Sequence, residues 1–170
     1  MKDIKKLRPN SNGPFRQGYY QVRNTHKYAG DPRVVIYRSS WELKFMQQCD
    51  FCKQIVRWGS EPVKIKYLSP IDNRMHDYNV DFFIEVADIE VEEGVEPKKT
   101  KYIVEIKPSA QISREPILEG RITEKKLKRH HELTKMYHVN KAKQIAAIKW
   151  AKDRDMKYIV LTEENWPFKR

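Results

Sequence analysis

KYIVEIKP, at residues 101–108, alternates Tyr102, Val104 and Ile106 against Ile103, Glu105 and Lys107. Period-2 alternation among β-branched and aromatic residues marks a half-buried β-strand. Successive strand side chains point to opposite sides, so Glu105 and Lys107 must share one side, opposite Val104 and Ile106. Upstream, residues 76–86 alternate Tyr78, Val80, Phe82, Ile84 and Val86 against Asn79, Asp81, Phe83 and Glu85, which predicts one long strand. If these two strands pair as antiparallel neighbours, Asp81, Glu105 and Lys107 share one face. The intervening residues 87–100 are acidic early and carry Gly94 and Pro97, which suits an exposed hairpin connection.

Further out, residues 62–68 alternate Val63, Ile65 and Tyr67 against Lys64 and Lys66, predicting another strand. Ser39 followed by Glu42 has capping-box spacing, so a helix is expected to start there and run to about Gln54. Beyond Pro108 the pattern turns helical. One basic helix is expected over about 117–137, and an amphipathic one over about 140–153, carrying Ile145, Ile148 and Trp150. KYIVLT at 157–162 reads as a final buried strand. The order helix, three strands, helix, strand predicts an α/β fold, a mixed central sheet flanked by helices, over residues 34–170. Residues 1–33, rich in Pro, Gly, Asn, Arg and Tyr without sustained period, read as an irregular basic arm.

The composition is compatible with one packed domain: 170 residues, 39% hydrophobic, four Trp. Thirty-four Lys and Arg against 23 acids give a net charge of +11, an excess that attracts polyanions, nucleic acid foremost. No run approaches the ~18 apolar residues that a membrane span requires, and the basic start lacks an apolar h-region, so a soluble intracellular protein without membrane association is expected. Cys49 and Cys52 stand alone as C-x-x-C with no second ligand pair; with Trp41 and Phe45 they share one helical face, so buried free thiols are expected.

Two carboxylates and an ammonium gathered among large apolar residues are costly unless something neutralises them. A hard divalent cation does so, and Mg²⁺, which takes oxygen ligands and keeps several waters, is the expected one, with Mn²⁺ able to substitute. Such an ion acidifies water and polarises a phosphoryl oxygen, which points to phosphodiester hydrolysis. Asp81 and Glu105 are the metal-ligand candidates, and Lys107 the group that orients water and offsets charge. Glu42 completes the shell if its helix packs over the carboxylate face, although its competing role is that of the capping acid. Glu85 and Asp77 share Asp81's face but lie about 13 Å away at ordinary strand rise, outside the site. Arg121, Lys125, Lys126, Lys128 and Arg129 form the densest positive segment and are candidate phosphate contacts, joined by Arg38, Ser39, Lys141 and Gln144. His130, His131 and His138 lack a metal-ligand pattern. Tyr19 and Tyr20 either stack on bases or pack the arm onto the domain.

The spacing D-x(23)-E-x-K, preceded by a helix-borne Glu, resembles the PD-(D/E)XK superfamily, whose restriction-endonuclease-like core runs αβββαβ. Within it, RSSWELKF, YNVDFFIEV, YIVEIKP and KAKQIAAIKWAKDRDMKYIVLTEENW resemble the TnsA-type endonucleases. With NGPFRQGYY and KYAGDP included, nearly the whole chain is similar to the head-completion nucleases of tailed phages. Val80 stands where many members carry the motif's Pro, a backbone-shaping residue and not a ligand. The resemblance implies a Mg²⁺-dependent DNA endonuclease with Glu42, Asp81, Glu105 and Lys107 as its catalytic set, acting after DNA packaging in the host cytoplasm. It also implies phage head, portal or neck proteins as partners and association with the virion. The alternative is a structural head component that binds DNA without cutting it.

Overall fold

The alternating runs around Phe82 and Val104 do form adjacent antiparallel strands, and the rest of the chain is arranged on them. The computed structural model describes residues 17–88, 94–112 and 114–166. In chain order it contains β1 (Gly18–Tyr19), β2 (Ile36–Tyr37), α1 (Ser40–Phe51), β3 (Ile55–Ser60), β4 (Lys64–Leu68), β5 (Met75–Asn79), β6 (Phe82–Ala87), β7 (Lys99–Ile106), α2 (Glu124–Lys152) and β8 (Lys157–Leu161). The central sheet has the order β3-β6-β7-β8, antiparallel except for the parallel β7–β8 pair that α2 connects. This is a mixed α/β architecture of the restriction-endonuclease-like kind, as expected. The first half of the basic arm, residues 1–16, the acidic stretch 89–93 and the last four residues, 167–170, lie outside the described residues.

Three elements depart from the alternation-based expectation. The first strand of the central sheet is β3, not residues 62–68. Its IVRWGS does not alternate, because a bulge between Ile55 and Arg57 breaks the period and Trp58 and Gly59 are both buried. Gly59 is there for close approach: a Cβ would stand 3.1 Å from the Ala29 carbonyl oxygen, and Ala29 N–H donates to Trp58 O at 2.6 Å. The run 76–86 is two strands. β5 pairs with β4 in a separate hairpin, while β6 pairs with β3 and β7, and the change of partner falls at Val80–Asp81. Finally, the two expected helices are one helix of 29 residues, capped by Thr123, whose hydroxyl accepts from Lys126 N–H. No Gly or Pro interrupts it, whereas Gly120 at φ 70° stops any extension upstream.

The sheet is buried on both faces. On one, Phe45, Met46 and Cys49 of α1 pack with Phe82, Val104, Trp58 and Leu161. On the other, Ala147 and Ala151 of α2 pack with Ile103, Val80 and the hairpin residues Ile65, Tyr67 and Tyr78. The small alanines bring α2 close and leave Ile145 and Ile148, at 67% and 49% exposure, on the outer side, contrary to the expected orientation. Cys49 is buried as a free thiol; Cys52 is free but half-buried, just past the helix end.

Residues 17–33 of the arm pack onto the domain, with Tyr20 and Val22 in the core. Their anchor is Asp50, fully buried at the end of α1. Its Oδ2 accepts from Tyr20 Oη at 2.8 Å and Arg23 N–H at 2.7 Å, and its Oδ1 accepts from Asn24 N–H at 2.8 Å. Burial alone would raise its pKa, but these donors hold it below the ordinary carboxylate value. Lys27 Nζ donates to the Asp50 and Cys52 carbonyls, closing the C-terminus of α1. Asp50→Ala strands a buried hydroxyl and two backbone N–H groups, so a loss of about 3 kcal/mol or more is expected in urea unfolding. A change under about 1 kcal/mol would show that water replaces the carboxylate without penalty.

Candidate active site

The β6–β7 register decides which acids meet. Phe82 stands opposite Val104, so Asp81, one residue before β6, comes opposite Glu105 where the ladder ends. Asp81 Oδ2 accepts from Ile106 N–H at 2.8 Å, which ties its carboxylate to the neighbouring strand. Glu105 is buried at 5% exposure, and its Oε1 pairs with Lys107 Nζ at 2.7 Å. By strand alternation Glu105 and Lys107 lie on the Ile103 side, the face that α2 covers. Burial first, then the negative charge of Glu105, pushes the Asp81 carboxyl well above its ordinary value, against the opposing pull of Ile106 N–H and Lys107.

Glu42 stands in the first turn of α1, which packs on the opposite sheet face. Its carboxylate is engaged in capping: Oε2 accepts from Arg38 N–H at 2.8 Å and Oε1 from Ser39 Oγ at 3.1 Å, while Ser39 Oγ accepts from Glu42 N–H at 3.1 Å. Burial raises its pKa, with the charge of Glu61 adding to the effect. Glu42 is also among the charges that act on Asp81. The four expected residues thus share one electrostatic neighbourhood. Among the described residues, no group of three or more His, Cys, Asp or Glu side chains is closed up as a metal cage.

The donor set nonetheless suits a hard cation. Glu105 Oε2 is buried without a hydrogen-bond partner, beside a second carboxyl whose ionisation is disfavoured by its surroundings. Two oxygen donors short of positive charge are the chemistry that Mg²⁺ satisfies.

The candidate phosphate contacts divide. Arg38 Nε is bound to Glu61 Oε1 at 2.6 Å and Ser39 is the α1 cap, so both are engaged within the protein. Arg121, Lys125, Lys126, Lys128 and Arg129 are exposed around the start of α2, where Lys126 Nζ reaches the Glu119 carbonyl. Lys141 is exposed and Gln144 half-buried in the stretch of α2 nearer the acids. Asp77 sits in the outer hairpin opposite Lys66, and Glu85 opposite Arg57 and Lys101, both apart from the acid cluster.

Two residues escape the sequence reading. Glu61 follows β3 at φ 44°, donates its N–H to Asp81 O at 2.9 Å and holds Arg38. Ser60-Glu61-Pro62 carries no periodic signal that would reveal it. Lys143 stands half-buried over the Tyr67 and Tyr78 rings, 5.6 and 5.5 Å from their centroids. Here a signal existed: Lys143, Ala147 and Ala151 fall at i, i+4 and i+8, one helical face.

Because folding raises the Asp81 pKa, the unfolded chain ionises first. Stability is full below the ordinary carboxylate range and declines as pH climbs from there toward the raised value. Asp81→Asn removes the charge but keeps an acceptor for Ile106 N–H. In EDTA it should raise the thermal midpoint by several degrees at pH 8 and leave it near wild type at pH 4. A lower midpoint than wild type at pH 8 would refute the strained carboxyl.

Residues 52–163 match the family model described as TnsA-like endonuclease N terminal, a span that includes Asp81, Glu105 and Lys107. The chain is 29% identical over 148 residues to the head completion nuclease of Enterobacteria phage T4, covering 87% of this chain and 91% of that protein. No solved structure matches it. With well over half of its length inside the family match, and the carboxylate pair and lysine within it, the chain belongs to the TnsA-like endonuclease N-terminal family.

Proposed function

We propose that this protein is a Mg²⁺-dependent DNA endonuclease that hydrolyses phosphodiester bonds during phage head completion, after packaging. The observation that carries the reading is the partnerless buried Glu105 Oε2 beside the charge-strained Asp81 carboxyl, in a chain of an endonuclease family. Asp81 and Glu105 would hold the ion, with Glu42 joining through lone pairs that its capping bonds leave free. Bound there, Mg²⁺, or Mn²⁺ in its place, supplies Lewis acidity toward a phosphoryl oxygen and makes water more acidic.

The protein's own groups do the rest. Ile106 N–H fixes the orientation of the Asp81 carboxylate, and Lys107 keeps Glu105 from rotating away. The Lys107 ammonium, about one-fifth exposed, donates to the attacking water or to a non-bridging oxygen and offsets the charge that builds as the P–O bond breaks. Exposed Arg121, Lys125, Lys126, Lys128 and Arg129, with Lys141 and Gln144, contact the backbone phosphates without reading sequence. Opening of the Arg38–Glu61 pair would add a further contact. The similarity to the T4 head completion nuclease supports a role in head completion, and the proposal places that role in the host cytoplasm beside head, portal or neck proteins. Among the described residues no helix is long and apolar enough to cross a membrane.

One observation favours the second reading, a DNA-binding head component without chemistry: both Glu42 carboxylate oxygens are already engaged in capping. Supercoiled-plasmid nicking in Mg²⁺ separates the two. Wild type should cut, EDTA should abolish cutting, and Asp81→Asn, Glu105→Gln and Lys107→Ala should each slow it at least about 100-fold. Equal nicking by wild type and Asp81→Asn would betray a contaminant. Tight, salt-sensitive binding in EDTA without cleavage under any divalent ion would establish the second reading instead.

A further inference from the structure

Lys143 is an ammonium that the catalytic set above does not use. It lies on α2 one turn before Ala147, whose side chain is fully buried against the sheet, so its stem continues the face that packs on Ile103 and the hairpin. Its Nζ sits over two rings, 5.6 Å from the Tyr67 centroid and 5.5 Å from the Tyr78 centroid. Those rings are themselves locked in an edge-to-face pair, with centroids 5.9 Å apart at 79°. Tyr78 Oη donates to the Lys143 carbonyl at 3.2 Å, pinning this turn of the helix to the hairpin. The side chain is therefore held on several sides and has few rotamers open to it.

Its charge is not consumed locally. Lys107 is already paired with Glu105 at 2.7 Å, whereas Lys143 takes part in no salt bridge among the described residues. Yet it feels the centre: after desolvation, which lowers its pKa, the charges acting on it are those of Lys107, Glu105 and Asp81. A half-buried lysine without a carboxylate partner loses hydration, and cation–π contact with the two buried rings returns about 1–2 kcal/mol of that loss. Packing alone would be better served by an apolar residue, as at Ala147 and Ala151 on the same face. An anion entering beside Asp81, Glu105, Glu42 and Glu61 would meet four carboxyl groups, so a second fixed cation besides Lys107 has a clear task.

We propose that Lys143 is a phosphate-binding residue of the cleavage centre, its ammonium contacting a non-bridging oxygen of the scissile phosphodiester from the α2 side while Lys107 acts from the strand side. This rests on the hydrolytic reading above. It differs from the exposed basic residues at the start of α2 because Lys143 is preset by two tyrosine rings and so acts at one phosphate. An aromatic-backed ammonium approaches an anion without first being freed from another ion pair, so binding requires no broken salt bridge.

The test compares wild type with Lys143→Met, which keeps the stem between the rings without charge, and Lys143→Arg, which keeps charge. Single-turnover cleavage of a labelled duplex in Mg²⁺ is measured beside duplex binding in EDTA across a KCl series and thermal midpoints. Lys143→Met should cleave roughly 100-fold slower at a wild-type midpoint, with the slope of log Kd against log [KCl] reduced by about one contact. Lys143→Arg should recover part of the rate and the whole slope. Cleavage by Lys143→Met within about threefold of wild type would overturn the proposal, as would a lost rate with a lowered midpoint and an unchanged slope, the signature of a packing clip. Should wild type itself fail to cut, the hydrolytic reading falls, and the slope in EDTA still decides whether Lys143 meets a phosphate.

Discussion

Asp81 and Glu105 repel each other in a place from which much of the water is excluded, and the sheet holds them there. In water two such charges a few ångströms apart cost about 1 kcal/mol, and several times that near a protein interior. The β6–β7 ladder accepts this cost because its core side is fully committed: Phe82 and Val104, each 0% exposed, face one another on the side opposite the acids. Slipping the register by one residue would relieve the acids only by turning Phe82 and Val104 out of the core. The repulsion is therefore stored in the folded protein, with Ile106 N–H and Lys107 compensating part of it.

The rest of the molecule brings further groups to that ladder end without disturbing it. α1 lies on the Val104 side, yet its first turn carries Glu42, whose charge acts on Asp81, and its last turn is bolted to the arm through Asp50. α2 lies on the other side and delivers Lys143. The β4–β5 hairpin, outside the central sheet, closes against α2 and contributes the tyrosine pair. The acid cluster thus sits at the rim where two separate cores meet, close to solvent but walled by apolar packing.

Much of this was legible in the sequence, for physical reasons that also explain what was not. Glu105 and Lys107 were readable because strand alternation has no slack: two residues apart means the same side. Asp81 was readable because it directly precedes Phe82 and opposes Glu105 at the ladder end, although the switch was hidden by uninterrupted alternation across Val80: Tyr78 and Val80 enter one core, Phe82 and Ile84 the other. β3 was unreadable because a bulge and a Gly chosen for close backbone approach erase the period. The orientation of α2 was misread because isoleucines advertise a core face more loudly than alanines do. Ala147 and Ala151 face inward since the helix must come close, and Ile145 and Ile148 are left outside. Reading helix faces by residue size favours the wrong stripe wherever a helix packs tightly on a sheet, and it concealed Lys143 here.

On the proposed function, α2 also sets the scale of the substrate contact. From Lys125 to Lys143 the helix advances 18 residues, about 27 Å at 1.5 Å per residue. Along duplex DNA that length corresponds to about eight base pairs at 3.4 Å each. A single rigid element then carries both the phosphate contact beside the acids and the basic cluster that grips the backbone nearly a helical turn away. Because no Gly or Pro interrupts it, the two contacts cannot adjust independently. A duplex seated on the basic end is presented to the acids at a fixed distance. Selection by such a device acts on the shape and continuity of the backbone rather than on base identity. A net charge of +11 draws the polyanion in, and the lysines beside the acids offset the repulsion it meets at the centre.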